Sequence, residues 1–134
     1  MTVYMLDTNI ISDAVRHPEG ECARRISAMP PHQLCISIIV ASELRFGLKK
    51  VAPSRVAFGV QRALEGLRIE PFESPADEFY AEIRATLERT GQLIGGNDLL
   101  IAAHSLALNA TLVSDNMDEF RRVPGLSLVN WRRR

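Results

Sequence analysis

A chain of 134 residues has room for one hydrophobic core and is too short for two ordinary ones, so a single domain spanning 1–134 is expected. Hydrophobic residues at 46% and charged residues at 24% exclude a disordered or fibrous class. Sixteen basic and sixteen acidic residues cancel, which excludes a global field for nucleic acid, so a polyanion would have to be held by a local basic patch.

Taken in chain order, Val3 to Leu6 is a short apolar run ending at the polar Asp7-Thr8-Asn9, as expected of a buried parallel strand that stops at a functional loop. Ile10 to Arg16 predicts one or two helical turns. His17-Pro18-Glu19-Gly20 interrupts them before a second helical stretch through Met29, which Pro30-Pro31 stops. Leu34-Cys35-Ile36 reads as the second strand, and Ser37 as the N-cap of a helix from Ile38 to Lys50. Pro53, at a first-turn position, introduces a helix whose face carries Val56, Val60, Leu64 and Leu67; Ile69 opens a short third strand.

Ser74-Pro75-Ala76-Asp77 reads as an N-cap followed by a first-turn proline. Phe79, Tyr80, Ile83 and Leu87 then mark a buried stripe that lasts until Gly91. Gly95-Gly96-Asn97 leads tightly into Asp98 to Leu108, apolar enough to be buried against the sheet. Thr111 to Val113 is a further strand, Asp118 to Arg122 a brief helix, and Leu126 to Val129 a final edge strand. Alternating strands and helices imply an α/β domain in three layers (α/β/α), with a central, mainly parallel sheet of four to five short strands.

Open α/β sheets bind ligands beyond the C-terminal ends of their strands, and both Asp7 and Asp115 immediately follow predicted strands. Asp98 falls at the start of the apolar helix, and Glu43 has Ile39 and Phe46 as same-face neighbours, an unusual place for an acid. Carboxylates gathered in a buried site repel one another and would take up protons unless a cation neutralised them. Oxygen ligands select Mg²⁺ or Mn²⁺, and such an ion suits phosphodiester hydrolysis. For the fourth acid the alternatives to Asp115 are Asp118 and Glu119, because Asp115-Asn116 also fits an Asx-type turn.

Thr8, Asn9 and Asn116 are placed to orient water or carboxylates from behind, although short polar residues are equally ordinary in turns. Arg45, Lys49 and Lys50 are candidates for RNA phosphates, against the reading that they face solvent at a helix C-terminus. Arg132-Arg133-Arg134 is read the same two ways. His104, alone on an apolar helix, is expected to be a packing residue, and Cys22 and Cys35 to be reduced, small apolar residues. The chain shows no signal segment and no apolar run long enough for a membrane span, so a cytoplasmic location is expected.

Four segments carry a resemblance: Met5-Leu6-Asp7-Thr8-Asn9, Ser42-Glu43-Leu44, Ile94 to His104, and Leu112-Val113-Ser114-Asp115-Asn116. Together they span nearly the whole chain, and they resemble the VapC-type toxins among the PIN-domain nucleases. The resemblance implies a PIN-like fold and a metal pocket formed by Asp7, Glu43, Asp98 and Asp115. It implies a Mg²⁺- or Mn²⁺-dependent endoribonuclease directed at RNA, commonly transfer RNA. It further implies inhibition by a VapB-type antitoxin whose tail covers the site, and assembly into homodimers and larger toxin–antitoxin complexes. Two rival readings are a receiver-like signalling domain, disfavoured because no lysine follows Lys50, and a non-catalytic protein-binding module.

Overall fold

The computed structural model describes residues 1–132. Five strands, β1 (Tyr4–Leu6), β2 (Leu34–Ser37), β3 (Arg68–Glu70), β4 (Thr111–Val113) and β5 (Ser127–Val129), form one sheet in the order β3-β2-β1-β4-β5. Every pairing is parallel, with Tyr4 beside Leu34 on one side and Thr111 on the other. The central strands β1, β2 and β4 are short because each is a mainly apolar run of three or four residues that gives way to polar residues, whereas the edge strand β3, Arg68-Ile69-Glu70, is largely polar. Met5, Leu6, Cys35, Ile36, Leu112 and Val113 are fully buried, as a sheet covered on both faces requires.

The connections are α1 (Thr8–Arg16) and α2 (Glu21–Ala28) after β1, α3 (Ile38–Lys50) and α4 (Arg55–Gly66) after β2, and α5 (Ala76–Arg89) and α6 (Gly96–Ala107) after β3. The four-residue α7 (Met117–Phe120) follows β4. The chain steps outward from β1 to β3, then returns across the sheet to β4. With right-handed crossovers this puts α1 to α4 on one face and α5 and α6 on the other. The reversal lies between β1 and β4, so the crevice beyond those two strand ends is where such a sheet binds ligands.

Local chemistry sets the helix starts, and several differ from the sequence expectation. Ser37 caps α3, its Oγ accepting from the Ile39 amide at 3.0 Å. Pro53 lies before α4 rather than in its first turn; Ser54 is the cap, accepting from the Ala57 amide at 3.0 Å. At α5, Pro75 occupies the cap position and Ser74 makes no capping bond. Within α5 the buried line is Ala76, Ile83 and Leu87, with Tyr80 half-buried; Phe79 is exposed, being one residue off that stripe.

Cys22 and Cys35 are buried free thiols, and burial pushes them up to about 12 and about 11 respectively, so both stay protonated and inert. His104 is buried on α6. Its Nδ1 lies 2.8 Å from Ser37 Oγ, and its ring meets Phe72 edge-on with centroids 5.4 Å apart. Burial lowers the imidazole pKa and so favours its neutral form, as expected of a packing histidine. Among the described residues no helix is long and apolar enough to cross a membrane.

Candidate active site

Asp7 ends β1 and caps α1: its amide continues the sheet by donating to Val113 O at 2.9 Å, and its Oδ1 accepts from the Thr8 amide at 2.9 Å. Its other oxygen accepts from Ser114 Oγ at 2.7 Å, from the residue just beyond β4. The carboxyl is only 4% exposed. Burial pushes its pKa above the usual range, Glu43 and Asp115 add to that push by repulsion, and the two hydrogen bonds oppose it. An acid that caps a helix serves structure, but a serine cap would do so without the cost of a buried charge.

Glu43 reaches the site from the middle of α3. Thr8 Oγ1 donates to Glu43 Oε1, and Asn97 Nδ2 donates to Oε2 at 3.1 Å. The expected reason for noticing Glu43 fails in part: Phe46 is 64% exposed, and the buried stripe of α3 is Val40, Ala41 and Leu44, with Glu43 on its flank. Glu43 is therefore half-buried at the edge of the crevice rather than within an apolar stripe.

Asp98, in the first turn of α6, accepts from Asn116 Nδ2 at 3.1 Å. Burial, a hydrogen bond shared with Glu119, and the charges of Asp7 and Glu43 together raise its pKa to about 7. Glu119 is pushed the other way, held low by its interaction with Asp98 and by the Gly95 amide, which donates to its Oε1 at 3.2 Å. Asp7, Glu43 and Asp98 line one open hollow of about 470 Å³, together with Thr8, Asn9 and Asn116.

Asp115 sits at the rim of the site, near enough for its charge to act on Asp7, and, like Glu119, does not itself line the hollow. Its Oδ2 accepts from Arg132 Nη1 at 2.8 Å, its amide donates to Asn9 Oδ1 at 3.4 Å, and the Arg132 Nε lies 3.1 Å from Asp13 Oδ1. Of the acids left open for the fourth position, Glu119 is the one placed against Asp98, while Asp118 is exposed with Arg121 as partner. Two further contributors, Ser114 and Asn97, were not singled out from sequence and orient Asp7 and Glu43; Arg132, read there as an RNA-contacting or solvated residue, instead lines the hollow and pairs with Asp13 and Asp115. A serine following a strand, and an asparagine beside a candidate acid, were signals in reach; the Arg132 contact joins distant segments and left none.

Arg45, Lys49 and Lys50 are all exposed, and of the three only Lys50 lines a hollow adjoining the site. Arg132 is committed to two carboxylates, and Arg133 and Arg134 lie outside the described residues.

The donor set fits a hard cation. Among the described residues no lysine or arginine pairs with Asp7, Glu43 or Asp98, so their mutual repulsion lacks a counter-charge. Among the described residues, however, no three His, Cys, Asp or Glu side chains converge closely enough to hold a metal ion by themselves, so waters or substrate oxygens would have to complete any coordination. An open, partly hydrated all-oxygen site is the kind Mg²⁺ prefers, since it keeps several waters and takes one or two carboxylates.

Residues 4–126 match the family described as PIN domain. A protein named Ribonuclease VapC2 from Rickettsia felis is 40% identical, the alignment covering 96% of this chain and 98% of that one. A tRNA(fMet)-specific endonuclease VapC from Salmonella typhimurium is 30% identical, covering 98% and 99%. Among solved structures, the Rickettsia felis VapBC2 complex with a promoter DNA fragment contains a chain with TM-score 0.87 and 37% identity, covering 97% of this chain and 99% of that one. A DNA-bound VapBC from Salmonella typhimurium gives TM-score 0.88 at 30% identity, covering 98% and 99%.

Proposed function

This chain belongs to the PIN-domain family, among the VapC ribonucleases, and from that premise we propose that it is the toxin of a VapBC-type pair, an endoribonuclease that hydrolyses RNA phosphodiester bonds, with transfer RNA as its substrate. The observation that carries the proposal is the gathering of Asp7, Glu43 and Asp98 around one hollow at the strand-order reversal, without a counter-charge. Nucleases of this family generally depend on a divalent cation, and the oxygen-only donors favour Mg²⁺ or Mn²⁺.

Asp7 and Asp98 would hold the ion, with Glu43 beside them and Glu119 as the fourth acid; Asp115 is the alternative fourth acid if Arg132 releases it. When bound, the cation neutralises this cluster, stabilises charge on the phosphate and lowers the pKa of water. The chain's own residues do the rest. Ser114 and the Thr8 amide fix the Asp7 carboxylate, Asn116 fixes Asp98, and Thr8 with Asn97 fixes Glu43, so each oxygen is aimed before substrate arrives.

The same reading gives it a VapB-type antitoxin as partner, homodimers and larger toxin–antitoxin assemblies, and a cytoplasmic site of action. Antitoxin-free protein incubated with total cellular RNA should make new ends only with Mg²⁺ or Mn²⁺, and Asp7→Asn should make none. No cutting by folded, metal-loaded protein would defeat the proposal in favour of a binding role.

A further inference from the structure

The carboxylate hollow does not end at Glu43. Thr8, Ser12, Arg16 and Glu43 also wall a second hollow of about 490 Å³, which runs beside α3 as far as Lys50. The two therefore form one continuous cleft, acidic at one end, with Arg16 at the junction, Lys50 at the far end, and a largely apolar wall that includes Leu44, Leu48, Val56 and Val60 between them. Arg16 stands at the junction, exposed, and makes no ion pair or side-chain hydrogen bond among the described residues. Lys50 at the far end is exposed and likewise has no ion pair among the described residues, its Nζ lying 4.6 Å from the centre of the Phe46 ring.

The floor of the second hollow includes Gly47, in the interior of α3. Neither crowding nor backbone conformation requires glycine there: a Cβ added to Gly47 meets nothing within 4 Å. Glycine inside a helix is weaker than alanine, so this position forgoes stability and leaves the α3 backbone bare toward the cleft.

We propose that this second hollow is the track along which single-stranded RNA reaches the carboxylates, with Arg16 binding a phosphate next to the one cut and Gly47 giving clearance for a nucleotide against α3. The inference rests on the nuclease reading above. Acids that repel each other also repel a polyanion, so phosphates that are not being cut need cations set off from the acids. Arg16 is an uncommitted cation next to that cluster, whereas Arg132 is occupied by Asp13 and Asp115.

The test uses the antitoxin-free full chain and a labelled, non-cleavable 2′-O-methyl oligonucleotide of mixed sequence, titrated in EDTA over a range of salt. Arg16→Gln should weaken binding about tenfold, the loss expected of one charge-assisted contact. It should also make the slope of log affinity against log salt shallower by about 0.7, the single-strand value for one phosphate. Arg16→Lys should restore the slope, Lys50→Gln should reduce it similarly, and Arg89→Gln on α5 should change neither quantity. Gly47→Leu should weaken binding at every salt without altering the slope, with Gly47→Ala as the milder variant should leucine disturb folding. In cleavage of transfer RNA with Mg²⁺, the Arg16→Gln loss should fall on KM more than on kcat.

Wild-type affinity and slope in Arg16→Gln and Gly47→Leu proteins with unchanged unfolding midpoints would overturn the proposal. So would variants that keep RNA binding but escape a polypeptide inhibitor, which would make the cleft a protein-docking groove. A metal-loaded wild type that leaves transfer RNA uncut sinks the nuclease reading separately, since the oligonucleotide titration needs no catalysis.

Discussion

Two buried polar groups lie on the same C-terminal edge of the sheet, and they meet the cost of burial in opposite ways. After β2, Ser37 and His104 form a neutral pair: Ser37 Oγ takes the Ile39 amide and faces His104 Nδ1 at 2.8 Å. Burial holds the imidazole pKa low, so no charge is enclosed. After β1 and β4, Asp7 is equally deep but is an acid, next to Glu43 and Asp98, and hydrogen bonds from Ser114 and Thr8 do not cancel the upward push on its pKa. The first group carries no charge and needs none, although His104 Nε2 is buried without a hydrogen-bond partner; the second gathers charge that a cation from outside would neutralise.

The largest expected effect separates these groups by activity. Asp7→Asn or Asp98→Asn should lower RNA cleavage by at least about a hundredfold, because each removes an oxygen ligand. The metal-free unfolding midpoint of either variant should hold or rise, since a repelling charge is gone. A variant that lost both activity and stability would break the contrast, making these acids structural. Conversely, Ser37→Ala should cost about 2 to 3 kcal/mol from a lost cap and an unpaired imidazole nitrogen, read as a shift in the urea midpoint, with cleavage by the folded fraction retained.

A smaller effect concerns pH. Asp98 titrates at about 7 in the folded chain against an ordinary value of 3.8, so between those values the folded state holds a proton that the unfolded chain has released. Metal-free stability should therefore fall as pH rises through that window and level off above it. Asp7, also raised, acts in the same direction, while Glu119, held low, acts oppositely and only at more acid pH. Thermal melts from pH 4.5 to 8 should show the decline in wild type and a flatter profile in Asp98→Asn. Excess Mg²⁺, by favouring ionised Asp98, should also flatten it.

Much of this contrast was legible in the sequence, for physical reasons that differ by residue. Asp7 was readable because an acid directly after a short apolar run lands at a strand end, where α/β sheets bind. His104 was readable because a lone histidine on an apolar helix has only packing to do. Glu43 was placed for a reason the structure removes: α3 is apolar nearly all round, so the sequence does not fix its phase, and Phe46 turned out exposed. For the fourth acid the sequence favoured Asp115, with Asp118 and Glu119 as alternatives; the pairing of Asp115 with Arg132, which arrives from beyond β5, has no local sequence signal. The cap of α5 fell one residue from its expected place, at Pro75 rather than Ser74, and Pro53, expected in the first turn of α4, lies before the Ser54 cap, since Ser and Pro beside each other offer adjacent starts.

The most direct test of the account is a Mn²⁺ titration followed by electron paramagnetic resonance on the antitoxin-free protein. Wild type and Ser37→Ala should take up the ion with the same affinity, while Asp7→Asn and Asp98→Asn should bind at least about tenfold more weakly, as expected for lost ligands. Unchanged Mn²⁺ affinity in both acid variants would contradict the claim that these carboxylates hold the ion on which RNA cleavage depends.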